Sequence, residues 1–108
     1  MDAHEAETVR LERQILLQDI ESMTTILSGS LRPSDATDGW DEKTQLRWLG
    51  FFERLRARVE SGEFVESDKY LSIARGMDMD GIHGRLQDFG AAIGNSFRRF
   101  LDRIPDMR

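Results

Sequence analysis

Apolar residues in this chain recur at intervals of three and four, the period of a helix that buries one side. The first run is Val9, Leu16, Ile20, Met23 and Leu27, widened by Ile15 and Ile26. It predicts a helix over about residues 3–27, stopped at Ser28 and Gly29, where glycine suits a left-handed cap. Three residues disturb the stripe. Arg13 falls at a core position, where its stem can cover apolar surface while its head reaches water. Leu11 and Leu17 lie off the stripe and need some other neighbour.

The second run is Trp48, Phe52, Leu55 and Val59, with Trp40, Leu46, Leu49 and Phe51 adding bulk. It predicts a helix over about residues 41–61, capped at its start by Asp38 or Asp41 and ended by Ser61 and Gly62. A short third helix is expected over about 66–75, carrying Tyr70, Leu71, Ile73 and Ala74. Ser67 would cap it, Phe64 and Val65 would staple its start, and Gly76 would close it. The clearest run comes last: Ile82, Leu86, Phe89, Ile93, Phe97, Phe100 and Ile104, extended by Leu101. It predicts a helix over about 80–104, ended by Pro105, since the residue before proline disfavours the helical region.

Strand-type alternation is almost absent. The pattern therefore predicts an all-α domain over residues 1–108, a small bundle of three long amphipathic helices and one short one. Its main irregular segment is GSLRPSDATDG, 29–39, expected to be a surface connection, with a mobile lid or a partner contact as the alternative.

Composition narrows the function classes. There is no cysteine, which excludes disulfides, thiolate metal sites and a cysteine nucleophile. The start of the chain is acidic and lacks the basic, then apolar, pattern of a secretory signal; no apolar stretch is long enough to cross a membrane. A cytoplasmic protein without a membrane contact is expected. The net charge of −5 opposes general nucleic-acid binding, which draws affinity from phosphate neutralisation. The charge is uneven: residues 1–28 hold six acids against two arginines, and residues 82–108 hold five arginines against three aspartates. Such a chain can pair its own ends, or those of a second copy.

Four clusters could carry function. The stretch RGMDMDGIHG, 75–84, offers Asp78, Asp80 and His83 as oxygen and imidazole ligands. A calcium loop with Gly81 at its sixth position would put Gly76 at the first and Gln87 at the twelfth, so both key ligands fail. A transition metal would need a third ligand, and His4 is the other imidazole in the chain. The plainer reading is a joint: Gly76 stops one helix, Asp78 or Asp80 caps the next, and Met77, Met79 and Ile82 tuck beneath. The second cluster is GAAIG, 90–94, where Gly90 and Gly94 share a helix face. Each costs roughly 0.5–1 kcal/mol relative to alanine, so something should offset them: close approach of another helix, from this chain or from a second copy in a dimer, or else a ligand groove.

The third cluster is Arg47, Arg54 and Arg58 on one face of the second helix, with Arg56 nearby. It is a solvated face, the seat of an acidic partner or, as a third alternative, a nucleic-acid contact, and Glu53 and Glu60 dilute it. The fourth is Trp40 with Trp48, which could line a ligand pocket or simply fill core. DFG at 88–90 matches a kinase motif whose other parts are missing here. No Ser–His–acid set, phosphate loop or HExxH occurs, so no catalytic residue is expected. The expectation is a non-enzymatic protein–protein interaction or regulatory module, homodimeric and without a cofactor. The alternative is a bundle that binds a small ligand or metal at the 77–83 corner.

Overall fold

The computed structural model describes residues 3–29 and 41–104, leaving aside the side chains of residues 4 and 5. Trp40, residues 30–39 of the expected loop and the His4 imidazole lie outside the described residues. The order of elements is α1 (Ala3–Leu27), α2 (Glu42–Ser61), a 3-10 turn (Glu66–Tyr70), α3 (Ile73–Met79) and α4 (Arg85–Arg103). The protein is an all-α bundle with three long helices and one short one, and the described residues form no strand.

The predicted stripes build the core. Leu16, Ile20, Met23 and Leu27 of α1 meet Phe52, Leu55 and Val59 of α2 and Ile93, Phe97, Phe100 and Leu101 of α4, all buried. α1 packs along both α2 and α4, while α3 and the 3-10 turn rest on α4. Phe64, just before the turn, is buried with its ring 5.8 Å from both Phe97 and Phe100.

Helices α1 and α2 run antiparallel, and each satisfies the other's C-terminal carbonyls. Such carbonyls lack intrahelical partners and need donors from elsewhere. Arg13 of α1 donates from Nε to the Val59 carbonyl at 3.3 Å and from Nη2 to the Glu60 carbonyl at 3.1 Å. At the opposite end, Gln45 of α2 donates from Nε2 to the carbonyls of Leu27 at 2.6 Å and Gly29 at 2.8 Å. The guanidinium at a core position thus has a use that periodicity does not show: it reaches the end of the neighbouring helix rather than water. Arg13→Met, which keeps an apolar stem, and Gln45→Ala are each expected to lower stability by about 1 kcal/mol. Lying at opposite ends, they should add to within about 0.5 kcal/mol in the double variant. Urea unfolding measures this; a double variant no weaker than either single one would refute the exchange of caps.

Asp41 starts α2, as expected, accepting the Thr44 backbone N–H at 2.7 Å. That bond, with further help from the Thr44 side chain, Lys43 and Arg47, holds its carboxyl below the usual carboxylate range. A lowered folded pKa stabilises α2 at neutral pH, and the stabilisation is lost as pH falls through the usual aspartate range toward the lowered value.

The segment expected as one helix over 66–75 is instead a 3-10 turn and a separate α3. Asp68 folds back to accept the Val65 N–H at 2.8 Å and an ion pair from Arg58, which tightens the turn. Ser72, in extended geometry, then accepts from the Arg75 N–H and starts α3. Ser72 is therefore the cap, not Ser67. Of the expected staple, Phe64 is buried while Val65 is exposed.

Gly76 does not close a helix; it lies inside α3. A Cβ there would stand 3.0 Å from Cη2 of Trp48, so the glycine lets the indole of α2 lie on the α3 backbone. The actual stop is Gly81, with φ of 78°. The N–H of Ile82 reaches the Met77 carbonyl at 2.8 Å and that of Gly81 reaches Asp78 at 3.0 Å, the bond pair of a Schellman cap. Met77 and Ile82 are buried beneath it, but Met79 is 78% exposed, contrary to expectation. Neither Asp78 nor Asp80 caps α4, whose first residue is Arg85 after Gly84. α4 ends at Ile104, held extended with ψ of 120° as a residue before proline should be.

Candidate functional site

The 77–83 corner is tied to α2. Trp48 donates from Nε1 to Oδ2 of Asp80 at 2.8 Å, and Arg47 donates from Nη2 to the same oxygen at 2.6 Å. Asp80 is thus engaged by two donors from one helix, with no free lone pair on that oxygen aimed at a ligand. Asp78 and His83 do come together, with Oδ1 and Nδ1 3.3 Å apart, but both side chains are largely exposed. Among the described residues no three His, Asp or Glu side chains gather as a metal site. Trp48 itself is core: its ring meets Phe51 edge-on at 5.2 Å and Phe52 at 6.0 Å.

The arginine face of α2 is mostly used within the chain. Arg47 holds Asp80 and Arg58 holds Asp68, whose carboxylate is buried. Arg54 is exposed and forms no ion pair with a described residue. The Gly90–Gly94 face of α4 is also filled from within. A Cβ on Gly90 would fall 2.7 Å from Sδ of Met77 and 3.0 Å from Cγ2 of Ile73, so α3 sits directly on the α4 backbone there.

Exposed apolar side chains stand singly at Leu46, Val65, Tyr70 and Met79, and in a row on the solvent side of α1. Leu11 is 45% exposed, Ile15 53% and Ile26 39%. Their spacing places them on one outer side of the helix, the side that leans toward α4. Between the two helices lie shallow pits. One is lined by Glu12, Ile15, Ser96 and Arg99. The other is lined by Ile26, Arg85, Leu86, Asp88 and Phe89. Glu12 accepts from Nε of Arg103 at 2.8 Å, while its other oxygen is buried with no donor among the described residues. The comparisons with known proteins add nothing to this geometry. No protein family, curated protein or solved structure matches the chain.

Sequence reasoning reached the four clusters and missed this face. The signal was present: Leu11 sits off the buried stripe, and Ile15 and Ile26 only widen it. A stripe wider than one neighbouring surface leaves its edge in water. No helix of the described residues is long and apolar enough to cross a membrane.

Proposed function

We propose that this chain is a non-enzymatic protein–protein interaction module of the cytoplasm, docking through the outer side of α1 and the adjoining rim of α4. One observation carries the reading: Leu11, Ile15 and Ile26 expose branched apolar side chains along one helix whose opposite side is fully committed to the core. Single exposed apolar residues are ordinary, but a row of them beside shallow pits of mixed polarity is the form of a docking surface. The remaining arginines and glycines of the sequence clusters are largely spent on internal ties, as described above. That supports a scaffold whose α1 side is left for a partner.

A photoreactive side chain placed at position 15 in the native host tests the reading. It should give a discrete crosslinked species, while the same probe at exposed Glu53 on α2 should not. Reaction from position 53 with none from position 15 would contradict it.

A further inference from the structure

We infer that Asp80–Gly81 is a self-modification site gated by α2: Trp48 and Arg47 keep Asp80 an aspartate, and release of their grip lets it rearrange to isoaspartate.

Chemistry singles out this pair. The Cγ of an aspartate can be attacked by the backbone nitrogen of the next residue. The N–Cγ bond forms, the protonated carboxyl loses its OH together with the amide proton as water, and a five-membered succinimide closes. Water then opens the ring at either carbonyl. One opening returns aspartate; the other gives isoaspartate, whose backbone runs through Cγ. A side chain on the attacking residue crowds the ring, so glycine in that place hinders it least. Aspartate is followed by glycine at 38–39 and at 80–81. The first pair lies outside the described residues. The second stands at the end of α3, with the Asp80 side chain 29% exposed and Gly81 turned to φ of 78°.

The folded corner holds the reaction back in three ways. The Gly81 N–H is donated to the Asp78 carbonyl at 3.0 Å, so the attacking nitrogen is engaged. The ring closes only when Cβ of Asp80 and that nitrogen are nearly eclipsed about the Cα–C bond, and ψ of 5° keeps them far apart. Finally, Oδ2 is fixed from α2 by Nε1 of Trp48 at 2.8 Å and Nη2 of Arg47 at 2.6 Å. The indole is buried, so its end of the tie is firm. Turning the carboxyl toward Gly81 breaks both bonds. The reaction therefore runs from molecules whose corner has opened locally, and its rate follows the population of that open form. Isoaspartate adds a carbon to the backbone between residues 80 and 81. The paired bonds of Gly81 and Ile82 then lose their register, and the new carboxylate no longer meets Trp48 and Arg47. A passing release of α3 from α2 becomes a lasting covalent change.

Isoaspartate at position 80 is followed in the purified full chain during long incubation at neutral pH. Trypsin releases residues 76–85, GMDMDGIHGR, whose two isomers separate by chromatography and are assigned by electron-transfer fragmentation. The free peptide 76–85, too short to hold a helix, gives the ungated rate, and the wild-type chain should stay well below it. Arg47→Met with Trp48→Phe keeps most of the apolar volume and removes both donors. It should form isoaspartate at position 80 about tenfold faster than wild type, as the open population rises. Circular dichroism establishes that this variant is folded; if it is not, Arg47→Met alone, at an exposed position, should give a smaller rise. Gln45→Ala weakens the other end of α2 and should leave the rate at position 80 at the wild-type value, which separates local release from general loss of stability. A wild type that isomerises as fast as the free peptide, donor-free variants no faster than wild type, or a Gln45→Ala chain as fast as the double variant would each overturn the inference.

Discussion

Trp48→Ala is expected to lower folding stability by about 3–5 kcal/mol, the cost of emptying a large aromatic site in a core. The total for a domain of this kind is about 5–15 kcal/mol, so the loss approaches the whole at the lower end. The size of the effect follows from how many parts of the molecule meet at this ring. Its edge lies on the backbone of α3 at Gly76, where even a methyl group would be crowded. Its faces and edges meet Phe51 and Phe52 within α2. Its Nε1 holds Asp80 at the end of α3. Alanine opens a cavity between α2 and α3 and removes one of two donors to Asp80. Trp48→Phe separates the contributions: it keeps most of the apolar volume and loses the hydrogen bond, and should cost about 1–2 kcal/mol. Urea unfolding of the two variants gives both figures. An alanine variant as stable as the phenylalanine one would mean that the indole does not bridge the helices.

Gly90→Leu should also be severe, at about 1–3 kcal/mol or more, by overpacking rather than by cavity. Any Cβ at position 90 lies within 3.1 Å of the Met77 side chain and 3.0 Å of Ile73. A leucine must push α3 off α4 or distort both. Gly94 lies one turn further along the same face, yet a Cβ there meets Ile73 only at 3.8–3.9 Å, ordinary contact distance. Gly94→Ala should therefore stabilise, by up to about 1 kcal/mol, through the better helix propensity of alanine. Opposite signs at two glycines of one motif are a sharp expectation, checked by thermal unfolding of both variants. If both substitutions stabilise, α3 does not sit on α4 as closely as described.

Much of this architecture is legible in the spacing of apolar residues. The span of α1 and the start of α2 follow from the stripe and from Asp41, because a helix needs a buried side and a cap and both are local features. The end of α4 follows from Ile104 and Pro105 for the same reason. The region between residues 66 and 84 is different. Gly76 reads as a helix stop because glycine lowers helix propensity, but here it marks the place where an indole from another helix approaches. The true stop, Gly81, stands five residues later. Asp80 reads as an N-cap or a ligand, since both uses need a short carboxylate near a helix end. Only the third dimension shows that Trp48 and Arg47 hold it. Arg13 and Gln45 were illegible for the same reason: their acceptors are carbonyls 46 and 18 residues away in sequence.

The candidate face was only half legible. Periodicity ranks residues by their position on a helix, not by whether a neighbour covers them. Ile15 and Ile26 read as the margins of a buried stripe, and Leu11 as an outlier seeking contact. In the bundle, α2 and α4 close over the middle of that stripe and leave all three in solvent. The glycine and arginine clusters drew attention because their residue types are unusual in a helix. Their explanation is internal: room for α3 on one side of α4, and ion pairs from α2 to Asp80 and Asp68.

The reading of this molecule as a docking module stands or falls on what touches Ile15 in its native setting. A photoreactive residue substituted at position 15 should crosslink efficiently to one protein species, seen as a discrete band of fixed mass. The yield should collapse when Leu11→Lys is added, and the probe at position 53 should stay silent. A position-15 probe that reacts only with solvent, in protein that is folded and abundant, would show that the exposed side of α1 has no partner and would contradict the account.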